Sequence, residues 1–99
     1  MMNRETELQF TQLIGYAGSA RSSYIKAIDV VHDPEKYGKL IDEGDECFDR
    51  AHTIHFELLQ KDPEEYLSGI LLMVHAEDQM AAAETFHVIA LKIRELIQR

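Results

Sequence analysis

Ninety-nine residues, 45% of them hydrophobic, make one domain over 1–99 with a single core of moderate size. A formal net charge of −8 argues against nucleic acid or an anionic membrane as the main ligand, since both select for Lys/Arg surfaces. Cys47 is the only cysteine, so no intrachain disulfide framework exists; with no signal-like stretch at Met1-Met2-Asn3-Arg4-Glu5 and no bilayer-length apolar segment, a reducing cytoplasm is expected.

The first predicted helix spans about 4–31, with Asn3 as its cap. Its apolar stripe is Phe10, Leu13, Ala17, Ala20, Tyr24, Ala27 and Val31, at three-to-four-residue spacing. Gly15 and Gly18 lie inside it, where each costs about 1 kcal/mol relative to alanine, which suggests close approach by another backbone or a ligand. His32 ends the helix, where a cation favours the negative dipole end.

Asp33-Pro34-Glu35 then sets an N-cap, a proline at the first helical position and an acid facing the positive helix end. The second helix, about 34–60, carries the stripe Tyr37, Ile41, Gly44, Phe48, Ala51, His55 and Leu58, and Cys47 among its apolar positions reads as a small buried hydrophobe. Asp62-Pro63-Glu64-Glu65 repeats the same start, with capping-box spacing between Asp62 and Glu65, and opens a third helix over about 63–98. Nothing alternates like a strand. Helices of roughly 40 Å joined by connections this short must run up-down-up, so the expected fold is an all-α antiparallel three-helix bundle.

The third helix holds the most informative residues. Leu71, Ala82, Phe86, Ile89, Ile93 and Leu96 share one face; His75 points along its middle and Asp78 sits on its flank. The hydrophobic effect gains nothing from ionisable groups there, so a constraint other than packing is expected to keep them.

Of the other histidines, His87 falls on the polar side and reads as solvated. His52 and His55 form an H-x-x-H pair facing an H-x-x-D pair, His75 and Asp78, on the next helix. Together these admit an intrachain His₃Asp metal site, with the two pairs offset by roughly one turn. They equally admit a nucleophilic histidine: a neutral imidazole nitrogen can attack a phosphoryl group, with the amide of Gln79, one turn after His75, as a donor to the product. A satisfied core histidine is the third reading.

Three stretches carry a family likeness. Val74-His75-Ala76-Glu77-Asp78-Gln79-Met80 resembles the active-site segment of the lactose/cellobiose-type enzyme IIA components of the bacterial phosphoenolpyruvate-dependent sugar phosphotransferase system, which typically reads His-(Gly/Ala)-Gln-Asp-His-(Leu/Met). Gly15-Tyr16-Ala17-Gly18-Ser19-Ala20-Arg21-Ser22 is similar to the family's Ala-Gly-x-Ala-Arg-Ser element, and Arg50-Ala51-His52 to its Ala-His element. The resemblance implies a homotrimer in which His75 accepts a phosphoryl group from the histidine phosphocarrier protein, as tele-phosphohistidine, and passes it to a cysteine of the IIB component, while the membrane IIC component delivers the sugar. It further implies that Asp78 faces its symmetry mates on the trimer axis around a divalent cation, Mg²⁺ being the expected one.

This sequence departs from the family at Gln79, where a second histidine is usual, at Glu77, where glutamine is usual, and at His55, where glutamine is frequent. Gln79 and His55 are then the expected phosphoryl-oxygen donors. The departures also keep a second class open, a non-catalytic helical adaptor or regulatory module derived from such a carrier.

Overall fold

A computed structural model describes residues 2–99. They form four helices: α1 (Arg4–Asp29), α2 (Pro34–Leu59), α3 (Pro63–Ser68) and α4 (Ile70–Ile97). The fold is all-α, with no strand among the described residues. It is a rod of 53 × 17 × 17 Å.

Each of the first three starts is fixed by the expected side chain. Asn3 Oδ1 accepts from the Thr6 amide at 2.8 Å, Asp33 from Lys36 at 3.1 Å, and Asp62 from both Glu64 and Glu65. These bonds satisfy helix-end donors that otherwise lack partners. Glu65 does not reach back to Asp62 as a capping box would; its carboxylate accepts from the backbone amide of Asn3 at 2.7 Å and ties the start of α1 to that of α3.

α1 is the central packing surface. Every member of its predicted stripe is buried, against α2 on one side and α4 on the other. Contacts between Gln9 and Glu57, Tyr16 and Arg50, and Tyr24 and Asp45 run in opposite order, so α1 and α2 are antiparallel. Gly18 lies beside Gln79 and Val31 beside Arg94, so α1 and α4 are parallel. α2 and α4 touch only sparsely along their length.

The single long third helix expected from the sequence is two. Gly69 separates α3 from α4, and its amide bonds to the carbonyls of Tyr66 and Leu67 instead of continuing the α pattern. The Phe10 ring lies where a β-carbon on Gly69 would stand, so only glycine fits at the break. The other boundaries end slightly earlier than expected: α1 at Asp29 rather than 31, α2 at Leu59 and α4 at Ile97. His32 therefore lies in the turn beyond α1, exposed.

A second correction concerns which face of α4 is inside. The fully buried residues are Met73, Ala76, Ala83 and Ala90. Alanines spaced by seven give a smooth strip against which α1 lies closely. The larger apolar stripe of the sequence reading faces outward: Leu71 is 82% exposed, Leu96 48%, and Ile89 is also exposed, with Phe86 and Ile93 half-buried at its edge. α4 thus has two apolar faces, and a helix apolar on both sides belongs between other helices.

Candidate functional site

His75 and Asp78 sit in the middle of that outward stripe, between Leu71 and Ala82. Both are exposed, and neither makes a hydrogen bond or ion pair among the described residues. The half-buried histidine expected on a core face is instead a free imidazole presented on a rigid helix. Its surroundings in sequence are negative: Glu77 and Asp78 follow it, and α4 contains no Lys or Arg before Lys92.

Gln79 is half-buried, and its amide lies beside Gly18 of α1, with Oε1 3.9 Å from where a β-carbon would project. The close approach by a backbone or ligand expected at the glycine pair is not found: a β-carbon on Gly18 would meet only the Gln79 side chain at ordinary contact distance, and Gly15 faces open space.

His55 lies on the other side of α4 from His75. Its Nε2 is 4.0 Å from Glu77, and two residues on a helix point about 160° apart. The H-x-x-H and H-x-x-D pairs consequently do not meet. Among the described residues no three His, Cys, Asp or Glu side chains are placed to hold a metal ion, which removes the His52/His55/His75/Asp78 site within one chain. Its failure is rotational: His55 stands level with Glu77, two residues from His75 and so nearer in height than the one-turn offset expected, but α4 turns its His75 face away.

The seam between α2 and α4 holds a cluster that spacing did not reveal. The Tyr24 hydroxyl donates to Asp45 Oδ1 at 2.7 Å, and His87 Nε2 lies 3.4 Å from the same oxygen. The His87 ring packs on Tyr24 at 4.7 Å between centroids, so His87 is not simply solvated. Burial, the hydrogen bond to Asp45 and nearby carboxylate charge, in that order, push the Tyr24 hydroxyl far above the ordinary phenol value. Further along, the His52 ring stacks on Phe48 at 4.4 Å and its Nδ1 is 3.0 Å from the Phe48 carbonyl, which makes Nδ1 the protonated nitrogen when the ring is neutral. Tyr24 was legible as a core residue, but its hydroxyl's partner comes from a different helix, and a pairing across helices leaves no mark in local spacing.

The profile described as "PTS system, Lactose/Cellobiose specific IIA subunit" matches residues 8–98. The chain belongs to this family. Among similar IIA proteins is the lichenan-specific phosphotransferase enzyme IIA component of Bacillus subtilis, 35% identical over 99% of this chain and 92% of that protein. The lactose-specific EIIA component of Staphylococcus epidermidis is 32% identical over 80% of each chain. The oligo-beta-mannoside-specific EIIA component of Bacillus subtilis is 31% identical over 88% of this chain and 76% of its own length. No solved structure matches. Membership in the IIA family supports a phosphoryl-carrier role in a sugar phosphotransferase system. No helix of the described residues is long and apolar enough to cross a membrane.

Proposed function

We propose that this IIA protein carries a phosphoryl group on His75 between the histidine phosphocarrier protein and the cysteine of a IIB component, in the cytoplasm, coupling sugar uptake through IIC to phosphorylation. The observation that carries this reading is the exposure of His75 on an ordered helix, with its ring nitrogens free of partners among the described residues, inside the segment that resembles the family's active-site run.

The chemistry follows from the imidazole. The lone pair of the His75 tele nitrogen, Nε2, attacks the phosphorus of the donor phosphohistidine; the new N–P bond forms as the donor's N–P bond breaks and its electron pair returns to the donor ring. In the second half the IIB thiolate attacks the same phosphorus, and the electron pair of the N–P bond returns to His75. Gln79, one turn away, offers an amide donor to the phosphoryl oxygens once its side chain swings from Gly18. His55 is turned away from the His75 of its own chain, so it serves as a donor only to the site of a neighbouring copy.

The protein acts as a homotrimer of up-down-up protomers closed about the outward stripe of α4. Leu71, Val74, Ile89 and Leu96 give that face a reason to be apolar, and Asp78 lies in its midst. A carboxylate with no companion ligand among the described residues fits an axial site shared by three copies, and its oxygens suit a hard cation such as Mg²⁺. When bound, the ion neutralises three converging charges; the residue that holds it is Asp78.

The test is phosphoryl transfer from radiolabelled phosphoenolpyruvate through enzyme I and the histidine phosphocarrier. Wild type should take up acid-labile, base-stable label and His75→Ala none, with unchanged helix content. Full labelling of His75→Ala, or an unlabelled but folded wild type, would sink the reading; the latter would favour the adaptor class.

A further inference from the structure

Phosphoryl transfer leaves two features unused. One is the cleft of about 270 Å³ between α2 and α4, whose walls include Tyr24, Asp45, Phe48, Asp49, Glu84 and His87. Three carboxylates line it together with the rings of Tyr24, Phe48, His52 and His87, and no Lys or Arg lines it. A phosphoryl group would be repelled there. A planar cation fits, because a guanidinium can lie over an aromatic ring while donating to a carboxylate.

The other is Arg21, in the Gly15–Ser22 segment of α1. It is exposed and makes no hydrogen bond or ion pair among the described residues; its guanidinium is 6.0 Å from the centroid of the Phe86 ring. That contact places Arg21 on one flank of α4, the flank covered by α1. The acidic cleft opens on the opposite flank, covered by α2. Within one chain the two cannot meet.

Their heights along the rod coincide. Arg21 is level with Phe86 of α4, and the cleft is level with Glu84 and His87 of the same helix. In a ring of three copies closed about the outward stripe of α4, each copy turns one flank of α4 toward the opposite flank of the next. Rotation about an axis parallel to the helices preserves height. The α1 flank of one copy therefore faces the α2 flank of its neighbour at the level of both features.

We propose that Arg21 of one copy enters the acidic α2/α4 cleft of the next, so that the cleft is the socket that joins copies of this chain into a ring. This rests on the trimer reading above and assigns it a contact outside the apolar stripe. Charge complementarity selects the occupant: Arg21 has no hydrogen bond or ion pair among the described residues and stands at the right level, and of the cleft carboxylates Asp49 and Glu84 have no cationic partner there, while Asp45 is held by Tyr24 and His87. The contact also fixes direction: a flank-to-flank pairing of unlike surfaces excludes a two-fold dimer and, about the three-fold axis of the proposed trimer, closes into a ring.

The test is sedimentation equilibrium of the full chain, with far-UV circular dichroism as the control for folding. Arg21→Glu and Glu84→Arg should each raise the concentration at which the trimer dissociates about tenfold or more. The double reversal Arg21→Glu/Glu84→Arg should restore most of the loss. In a Cys47→Ala background, Arg21→Cys with Glu84→Cys should oxidise to covalent dimers and trimers. A trimeric wild type indifferent to both charge reversals, with no cross-linked ladder, would overturn the Arg21 contact and leave the trimer standing. A helical wild type that stays monomeric at all concentrations would overturn both.

Discussion

Tyr24 joins three helices through one side chain. It belongs to α1, donates to Asp45 of α2, and carries the His87 ring of α4 on its face. Tyr24→Phe keeps the packing and removes one hydrogen bond to a charged acceptor, so it should cost about 1–2 kcal/mol. Urea denaturation at neutral pH measures this. The same residue predicts an alkaline signature. Its phenol is held protonated in the folded chain well past the value of about 10 at which the unfolded chain ionises. Below that value both states are protonated and the full stabilisation is present; above it the unfolded state loses a proton that the folded state keeps, and stability falls as pH rises. The fall above pH about 10 should be shallower in Tyr24→Phe. Some slope will persist, because burial also raises the Tyr37 hydroxyl, against the opposing charge of Arg94. Equal slopes in the two proteins would show that Tyr24 does not govern the alkaline limb.

At the scale of the helices, two glycines of α2 should respond to alanine with opposite signs. A β-carbon on Gly44 would fall 2.6 Å from Cε1 of Tyr24, and that ring is buried and pinned by Asp45. The gain in helix propensity, about 1 kcal/mol, is smaller than the cost of overpacking a fixed ring, about 1–3 kcal/mol. Gly44→Ala should therefore destabilise, whereas Gly38→Ala, with nothing within 4 Å, should stabilise by up to about 1 kcal/mol. Thermal melts of both variants decide the matter, and a stabilised Gly44→Ala would refute the packing argument. Spacing put Gly44 on the apolar stripe and Gly38 off it, but gave no sign of the Tyr24 ring that fills the space beside Gly44, and the contrast marks what was legible there. Caps and stripes of α1 and α2 were readable because they depend on neighbours three and four residues away. The break at Gly69 was not, because the ring of Phe10 that leaves no room for a side chain there lies some sixty positions earlier. Nor could periodicity choose between the two apolar faces of α4, since each obeys the same spacing and only the fit of Ala76, Ala83 and Ala90 against α1 separates them. His75 was found through its local run of residues; its exposure, and its separation from His55, followed from that choice of face.

For the whole molecule, the outward face of α4 poses an electrostatic question that only assembly resolves. A protomer can leave Leu71 and Asp78 in water at little cost. In the proposed trimer, three copies meeting on that face would gain from burying Leu71, which is 82% exposed in the single chain, but would bring three Asp78 carboxylates together. Carboxylates sharing one site repel unless a proton or a metal neutralises them, so the trimer should depend on a divalent cation. Chelation should shift wild type toward monomer in sedimentation equilibrium, and excess Mg²⁺ should reverse the shift. Asp78→Asn removes the repulsion and the ligand together, so its trimer should persist and ignore both treatments. Leu71→Glu places new charge on the apolar part of the same face and should dissociate the trimer with or without Mg²⁺, at unchanged helix content. The two substitutions separate the causes: sensitivity to metal belongs to Asp78, and sensitivity to apolar burial belongs to Leu71. If the wild-type trimer is indifferent to chelation and carries no bound metal, Asp78 has no axial role; if Leu71→Glu remains trimeric, the copies meet on some other face.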